Sequence, residues 1–212
     1  MKVGIFGGSF NPPHIAHSII AETIRSQFNL ALVLWVPAYA PPHKSTIQLT
    51  SYKDRLGMVR AATAEHSFFQ ASDIEKTLDP PTYTIRMLGA LRKQYPDAEF
   101  NLILGGDSLV HFDTWLQPEA IAKEVKLLVY PRMDHPVTHT ALALPDYLSG
   151  RVEFADAPIM PLSAEYIRKR LFEEKSVRYL VLESVLDYIN KHHIYKDTTG
   201  TEHHFRLRSW AF

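Results

Sequence analysis

The sequence predicts an α/β protein built on a doubly wound parallel sheet, and two observations support this fold class. Short apolar segments alternate along the chain with segments of helical periodicity, a pattern typical of parallel sheets covered by helices on both faces. Loops rich in glycine or proline follow three of these segments, at "GGSFNPPH", "PAYAPPHK" and "GGDS". Ligands of open parallel sheets bind beyond the carboxyl ends of the strands, so we expect these loops to share one crevice.

The individual elements are predicted from apolar runs that stop at turn residues. The expected strands are "KVGIF", "LALVLWVPA", "FFQASDIE", "EFNLILGGD", "KLLVYP" and "RVEFADAP". The expected helices are "HIAHSIIAETIRSQF", "TYTIRMLGALRKQYP", "QPEAIAKEV", "SAEYIRKRLFEE" and "VLESVLDYINKHH". Residues 1–195 are therefore predicted to form one domain. The tail 196–212 has no clear period, and no role is predicted for it.

The composition excludes several classes of protein. Lysine plus arginine equals aspartate plus glutamate at 23 each, which argues against a surface for nucleic acid or an anionic membrane. The chain has no cysteine, which excludes disulfides, thiolate metal sites and a cysteine nucleophile. The N-terminus lacks the apolar core of a secretory signal, and no apolar run approaches the roughly 20 residues of a membrane span. We therefore expect a cytoplasmic protein.

The stretch "GIFGGSFNPPHIAH" carries the strongest functional signal. Gly7 and Gly8 let main-chain amides approach a ligand closely, because no side chain intervenes. His14 and His17 follow near the start of the predicted helix, where free amides and the helix dipole favour an anion. The same positive end disfavours imidazolium. We expect two neutral histidines that donate hydrogen bonds to a phosphate.

The helix that overlaps the end of this stretch is expected to begin directly after Asn11. Asn11 is predicted to cap it, with proline in the first turn. Its periodicity predicts that both histidines lie away from the buried stripe. The residues expected in that stripe are Ile15, Ile19, Ile20, Ile24 and Phe28.

Two other interpretations of the histidine pair are weaker. A zinc site needs a third ligand and preferably the i, i+4 spacing of H-E-x-x-H, whereas the spacing here is three. Simple packing or capping competes for His17 alone. It does not account for two histidines behind a glycine pair and two prolines. The pattern favours a phosphate-binding site.

The same stretch resembles the signature of the nucleotidylyltransferase superfamily, G-x-F-[DN]-P-x-H-x-G-H, with Ala16 in place of a glycine. Within it, the chain is similar to the bacterial nicotinate-nucleotide adenylyltransferases. The resemblance implies a Rossmann-like nucleotidylyltransferase fold. It also implies transfer of AMP from ATP to nicotinate mononucleotide, which gives nicotinate adenine dinucleotide and pyrophosphate in NAD biosynthesis. Mg²⁺ would be carried mainly by the phosphates of ATP, with no metal-ligating residues in the protein.

On the ATP side, the resemblance implies four catalytic residues. His14 and His17 would donate to the α- and β-phosphates, while Lys44 of "PPHK" and Arg168 of "PLSAEYIRKRL" would hold the leaving pyrophosphate. Arg55 has a weaker claim. The further residues implied in ATP binding are Gly7, Gly8, Ser9, Phe10, Asp107, Arg132 and Ser163.

The last of these motifs departs from the family pattern. Ser163 is expected to cap a helix whose free amides bind an anion, but Ala164 and Glu165 stand where the family has serine and threonine. A carboxylate at Glu165 would repel a triphosphate unless it points away from the site.

On the acceptor side, the resemblance implies that Thr84 binds the nicotinate carboxylate, mostly through its main-chain amide. Thr84 is also expected as a helix N-cap. Trp115 would stack on the pyridine ring, and the amide of Leu116 would complete the carboxylate site. Arg86, where the family has aspartate, would favour the acid if it faced the ring.

Three functional alternatives stay open at this point. The acceptor can be nicotinamide mononucleotide, or another phosphorylated compound such as phosphopantetheine, although that family is shorter. In a different class, the chain can be a nucleotide-binding sensor without turnover, for which Ala16, Ala164 and Glu165 are the only support. The expected partners are ATP and nicotinate mononucleotide, with no nucleic acid and no membrane. A homo-oligomer is left open.

Overall fold

The sheet is the organising element of the fold. In a computed structural model, which describes residues 1–40, 49–132 and 144–195, six parallel strands lie in the order β3-β2-β1-β4-β5-β6. They are β1 Lys2–Gly8, β2 Leu32–Pro37, β3 Phe69–Ala71, β4 Glu99–Gly105, β5 Lys126–Tyr130 and β6 Val152–Phe154. This order is that of a doubly wound sheet. The predicted fold class is confirmed.

Helices connect the strands and cover both faces. They are α1 Ile15–Gln27, α2 Tyr52–Thr63, α3 Thr84–Gln94, α4 Gly106–Val110, α5 Pro118–Glu124, α6 Ala164–Phe172 and α7 Glu183–Lys191. Short 3-10 turns span Ile74–Thr77, Phe112–Thr114 and Asp146–Leu148. Strand β3 ends at Ala71, four residues before the predicted end, because the chain turns into the first 3-10 segment.

Helix α2 was not expected from the sequence. Gly57 interrupts its short apolar run, and charged residues dominate the rest. A local signal was nevertheless present, since the Ser51 hydroxyl accepts a hydrogen bond from the Asp54 amide at 3.1 Å, as an N-cap does. Helix α2 packs against α7. Some of its buried residues therefore face α7 rather than the sheet. The apolar periodicity of a helix that covers a sheet does not predict these positions.

The core has one layer on each face of the sheet, because successive side chains of a strand point to opposite faces. Ile5 belongs to the layer beneath α3 and α5, whereas its neighbour Phe6 belongs to the layer beneath α1. A third apolar cluster joins α2 to the last two helices. It includes Met58, Ile167, Val185 and Ile189. This third cluster fixes α6 and α7 beside the sheet.

Two expectations about α1 are wrong. His14, not Asn11, is the N-cap residue, so both prolines precede the helix. The buried residues are Ala16, Ile20, Ala21 and Ile24, while Ile15 and Ile19 are half-buried. Since residues i, i+3, i+4 and i+7 share a helix face, His17 lies on the buried face rather than on another one.

The strand order places a crevice at the carboxyl ends of β1 and β4. The chain leaves β1 towards β2 on one side, and leaves β4 towards β5 on the other, so the connections diverge. The loops "GGSFNPPH" and "GGDS" meet there as predicted, together with Ala38 of the third loop. Residues 41–48 lie outside the described residues. Within the described ranges, no helix is long and apolar enough to cross a membrane.

A pair of helical glycines gives a test of the α2–α7 contact. A Cβ at Gly57 would collide with the Tyr188 hydroxyl, whereas a Cβ at Gly89 of α3 meets nothing within 4 Å. Gly89→Ala should raise the free energy of unfolding by up to about 1 kcal/mol through helix propensity. Gly57→Ala should lower it by about 1 kcal/mol, because the tyrosine ring must be displaced. Urea unfolding measures both, and equal stabilisation by the two changes would contradict the contact.

Candidate active site

A cavity of about 1110 Å³ occupies the crevice. It is bordered by the loop after β1, the start of α3, the β4–α4 turn and the segment that leads into α6. Thirteen of the fourteen residues predicted for the site line it: Gly7, Gly8, Ser9, Phe10, His14, His17, Thr84, Asp107, Trp115, Leu116, Arg132, Ser163 and Arg168. The fourteenth, Lys44, lies outside the described residues.

The loop after β1 is held by side chains from distant parts of the chain. Arg55 of α2 donates to the Ser9 carbonyl at 3.0 Å, and Arg168 of α6 donates to the Asn11 carbonyl at 2.8 Å. The Tyr195 hydroxyl donates to Asn11 Oδ1 at 2.7 Å. All three partners lie outside the loop, so its shape depends on the packing of α2, α6 and the chain after α7.

Phe10 contributes to this loop through packing. Its main chain has φ 44°, in the left-handed region, and its ring stacks on Trp35 with centroids 5.3 Å apart. The side chain is 2% exposed. The Phe10 ring is therefore hardly accessible to a ligand, and the residue can contact one mainly through its main chain.

The two histidines lie one against the other, with ring centroids 3.7 Å apart. The His14 amide donates to His17 Nδ1 at 3.1 Å. A ring nitrogen that accepts a hydrogen bond carries no proton, so the neutral His17 ring carries its proton on Nε2. The hydrogen bond thereby fixes His17 as a donor through Nε2.

Burial and a nearby cation keep both rings uncharged. Burial, with the Arg132 guanidinium as a second cause, lowers the pKa of His14 to about 4. For His17, burial comes first, followed by His14 and then Arg132, and together they hold the pKa well below 6.5. These directions agree with the neutral histidines expected from the sequence.

Four residues that line the cavity each have a buried side-chain polar atom without a hydrogen-bond partner in the described part of the chain. These atoms are His14 Nδ1, Asn11 Nδ2, Asp107 Oδ1 and Arg168 Nε. Buried polar atoms are almost always paired, so four unpaired ones in the residues around one cavity favour a polar ligand at this place. Asp107 also lies 3.7 Å from Arg132 in an ion pair. The cavity therefore presents both donors and an acceptor.

The start of α6 forms another wall of the cavity. Ser163 is the N-cap, and its hydroxyl accepts a hydrogen bond from the Tyr166 amide at 3.1 Å, which confirms the predicted cap. Ala164 lines the cavity, whereas Glu165 is exposed and is not among the lining residues. The carboxylate of Glu165 thus points away from the position where it would repel a triphosphate.

The other part of the cavity is made by α3 and the segment after α4. Thr84 is the first residue of α3, and the N-cap is Tyr83, so the predicted cap is wrong by one residue. The Thr84 amide remains in the first turn, where no acceptor within the helix is available. Trp115 is half-buried against Phe112, with centroids 5.1 Å apart, and Leu116 is exposed.

Arg86 does not take the position that would favour an acidic acceptor. Its side chain is exposed, and the guanidinium lies 5.4 Å from the centroid of the Tyr83 ring. It is not among the residues that line the cavity. The condition under which Arg86 would favour an acidic acceptor is therefore not met in this structure.

Comparisons with known proteins identify the family. The model described as "Cytidylyltransferase-like" matches residues 5–170. A relative from Salinibacter ruber named "Probable nicotinate-nucleotide adenylyltransferase" is 41% identical over 93% of this chain and 100% of its own length. The chain belongs to the nicotinate-nucleotide adenylyltransferases of the cytidylyltransferase-like family. A second member with the same name, from Synechococcus sp. (strain JA-3-3Ab), is 40% identical over 92% of this chain and 95% of its own.

Solved structures support the fold assignment. The Plasmodium falciparum nicotinic acid mononucleotide adenylyltransferase complexed with NaAD superposes with a TM-score of 0.74. It is 21% identical and covers 92% of this chain and 97% of that one. The Rossmann-like nucleotidylyltransferase fold that the resemblance implied is confirmed.

Sequence reasoning missed one residue of the site and underrated another. Tyr195 follows the last helix, and no local motif connects it to Asn11. Arg55 was given only a weak claim, yet it is 2% exposed and donates to both Ser9 and Thr50 carbonyls. Arg55 stands among charged residues in the sequence, so no local signal marked it as buried.

The bridge made by Arg55 can be tested by an arginine-to-lysine change. A lysine cannot reproduce the two directed hydrogen bonds of the guanidinium, so Arg55→Lys should lower the free energy of unfolding by about 2 kcal/mol. The matched control is Arg60→Lys in the same helix, whose side chain is 63% exposed, and it should change stability by less than about 0.5 kcal/mol. Urea unfolding measures both. Equal stability of the two variants would show that the bridge contributes nothing.

The low pKa of His14 predicts sensitivity to acid. The folded protein keeps His14 neutral down to about pH 4, whereas the unfolded chain binds the proton near pH 6.5. Stability is therefore complete above pH 6.5 and falls as the pH drops towards 4. On going from pH 7 to pH 5, His14→Gln should lose about 1–2 kcal/mol less stability than the wild type. The exposed His111→Gln should keep the wild-type loss, and an equal loss in both variants would contradict the assignment.

Proposed function

We propose that the cavity binds ATP and nicotinate mononucleotide and transfers AMP from the first to the second. The observation that carries this proposal is a set of unpartnered buried polar atoms in residues that line one cavity: His14 Nδ1, Asn11 Nδ2, Asp107 Oδ1 and Arg168 Nε. A nucleotide supplies phosphate oxygens for the donors and ribose hydroxyls for the carboxylate. Membership of the family supplies the identity of the two substrates.

The reaction needs positioning and charge stabilisation rather than a general base. The nucleophile is the 5′-phosphate of the mononucleotide, which is already ionised at neutral pH. It attacks the α-phosphorus of ATP, the bond to the bridging oxygen breaks, and pyrophosphate leaves. His17 Nε2 and His14 donate to the phosphate oxygens as negative charge moves onto the leaving group. Neutral rings suit this role, because a donor with a fixed tautomer needs no proton transfer before it acts.

The leaving pyrophosphate and its counter-ion form a second part of the proposal. Arg168 lies against the loop that carries the histidines, and Lys44 is assigned to the same phosphates by family resemblance. Mg²⁺ enters as part of the substrate, on the phosphates of ATP. In the described ranges, no three His, Cys, Asp or Glu side chains are grouped to hold a metal.

The acceptor is proposed to lie between α3 and Trp115. The Thr84 amide, in the first turn of α3, and the Leu116 amide are available for the nicotinate carboxylate, while the Trp115 ring offers a face to the pyridine ring. Thr84, Trp115 and Leu116 all line the cavity that contains the histidines. Ser163 and Asp107 would then belong to the ATP side.

The activity is tested by pyrophosphate release with ATP and Mg²⁺. Nicotinate mononucleotide, nicotinamide mononucleotide and phosphopantetheine are compared as acceptors. We expect turnover to be fastest with nicotinate mononucleotide and to fall about 10²–10³-fold in His17→Ala, as when one transition-state donor is removed. The exposed His111→Ala serves as the matched control and should keep wild-type turnover.

Each outcome separates the alternatives. Preference for nicotinamide mononucleotide or phosphopantetheine would retain the chemistry and change the acceptor. Binding of ATP without pyrophosphate release for any acceptor would favour a nucleotide-binding sensor. A cytoplasmic location, where ATP is supplied to such a reaction, is part of the same proposal. A homo-oligomer stays a prediction.

A further inference from the structure

Glu75 occupies an unusual position for a carboxylate. It lies in the 3-10 turn after β3 and lines the same cavity as the site residues. Its Oε2 accepts two hydrogen bonds, from the Tyr39 amide at 2.8 Å and from the Thr82 hydroxyl at 2.6 Å. This carboxylate oxygen therefore links Tyr39, at the beginning of the loop after β2, to Thr82, which lies two residues before Thr84.

Thr82 strengthens this junction from the other side. Its amide donates to the Ala40 carbonyl at 3.1 Å, and its hydroxyl accepts a bond from the Ala40 amide at 3.4 Å. Thr82 is 5% exposed, so water does not replace these bonds readily. Four hydrogen bonds thus fasten the turn before α3 to residues 39 and 40.

Burial of the Glu75 carboxylate is unfavourable for its charged form. Burial raises the pKa of Glu75, and the bonds from Thr82 and Tyr39 oppose that rise. A buried carboxylate without bonded donors is unfavourable. These two donors, together with the nearby Arg55 guanidinium, offset part of the cost of burying Glu75.

We propose that Glu75 is a positioning residue that sets the start of α3 for the acceptor substrate, by holding Thr82 against Tyr39 and Ala40. The inference rests on the proposed function, because the start of α3 is assigned there to the acceptor carboxylate. Both bonded donors of Glu75 belong to the protein, so the residue acts through Thr82 rather than on the reacting atoms. Glu75 would thus be the residue that orients the Thr84 amide in the proposed site.

The test compares Glu75→Ala with Glu75→Gln, whose amide oxygen can accept the same two bonds. Glu75→Ala should raise KM for nicotinate mononucleotide about tenfold, with kcat and KM for ATP within about threefold of wild type. Glu75→Gln should stay within about threefold in all three constants. Glu124→Ala on the exposed surface of α5 is the matched control and should match wild type.

A second variant tests the same bonds from the other partner. Thr82→Val removes the hydroxyl and keeps the side-chain shape, and it should raise KM for the acceptor as Glu75→Ala does. The double variant should be no worse than the worse single one, because both changes break the same junction. Calorimetric dissociation constants for nicotinate mononucleotide should follow the same order without any need for turnover.

The outcomes distinguish this inference from the proposed function. Wild-type protein that releases no pyrophosphate contradicts the proposed function, whatever the variants do. The inference itself is overturned if Glu75→Ala, folded by circular dichroism, keeps the wild-type acceptor affinity. It is also overturned if ATP and acceptor constants worsen equally, since that marks general loss of structure. Equal impairment of Glu75→Gln and Glu75→Ala would assign the effect to charge and overturn the hydrogen-bonded junction. If Glu75→Ala does not fold, Thr82→Val decides.

Discussion

The position of the histidine pair depends on hydrogen bonds to the carbonyl groups of the loop before it. Arg55 binds the Ser9 carbonyl and Arg168 binds the Asn11 carbonyl. This loop cannot pair with the sheet, because it turns away from β1 at its carboxyl end. Its carbonyls need other donors, and guanidinium groups supply several from a rigid plane. The shape of the loop that leads to the histidines therefore depends on α2 and α6, which carry these two arginines.

Burial and a neighbouring cation keep the two histidines after this loop neutral. A buried imidazole loses its proton readily, because the charged form is poorly solvated, and Arg132 adds repulsion. The hydrogen bond from the His14 amide then selects the His17 tautomer. Burial, charge and one main-chain bond therefore give a donor without a titration step near neutral pH. The helix dipole, from which neutrality was first expected, acts in the same direction.

The fold class was predicted correctly, and thirteen of the fourteen residues predicted for the site line one cavity, because both predictions depend on local patterns. Apolar runs predict buried strands, and the motif after β1 predicts the phosphate site. The errors have a different origin. Asn11 was expected to cap α1 through a local bond, yet its Oδ1 is taken by Tyr195, 184 residues away in sequence. Helix α2 packs on α7 as well as on the sheet, so its pattern is not that of a sheet-covering helix. Hydrogen bonds and contacts between residues so far apart in the chain leave no periodic pattern in the sequence.

Arg168 shows how a single residue can link structure to chemistry at this site. Its Nη1 is occupied by the Asn11 carbonyl, while its buried Nε has no partner among the described residues. The planar guanidinium fixes the direction of Nε once Nη1 is bound. In the proposed function, a phosphate that accepts from Nε would be placed relative to the loop of the histidines by this side chain. Lysine at this position would supply the charge but not this fixed angle, so the geometry, beyond the positive charge, explains why an arginine stands here.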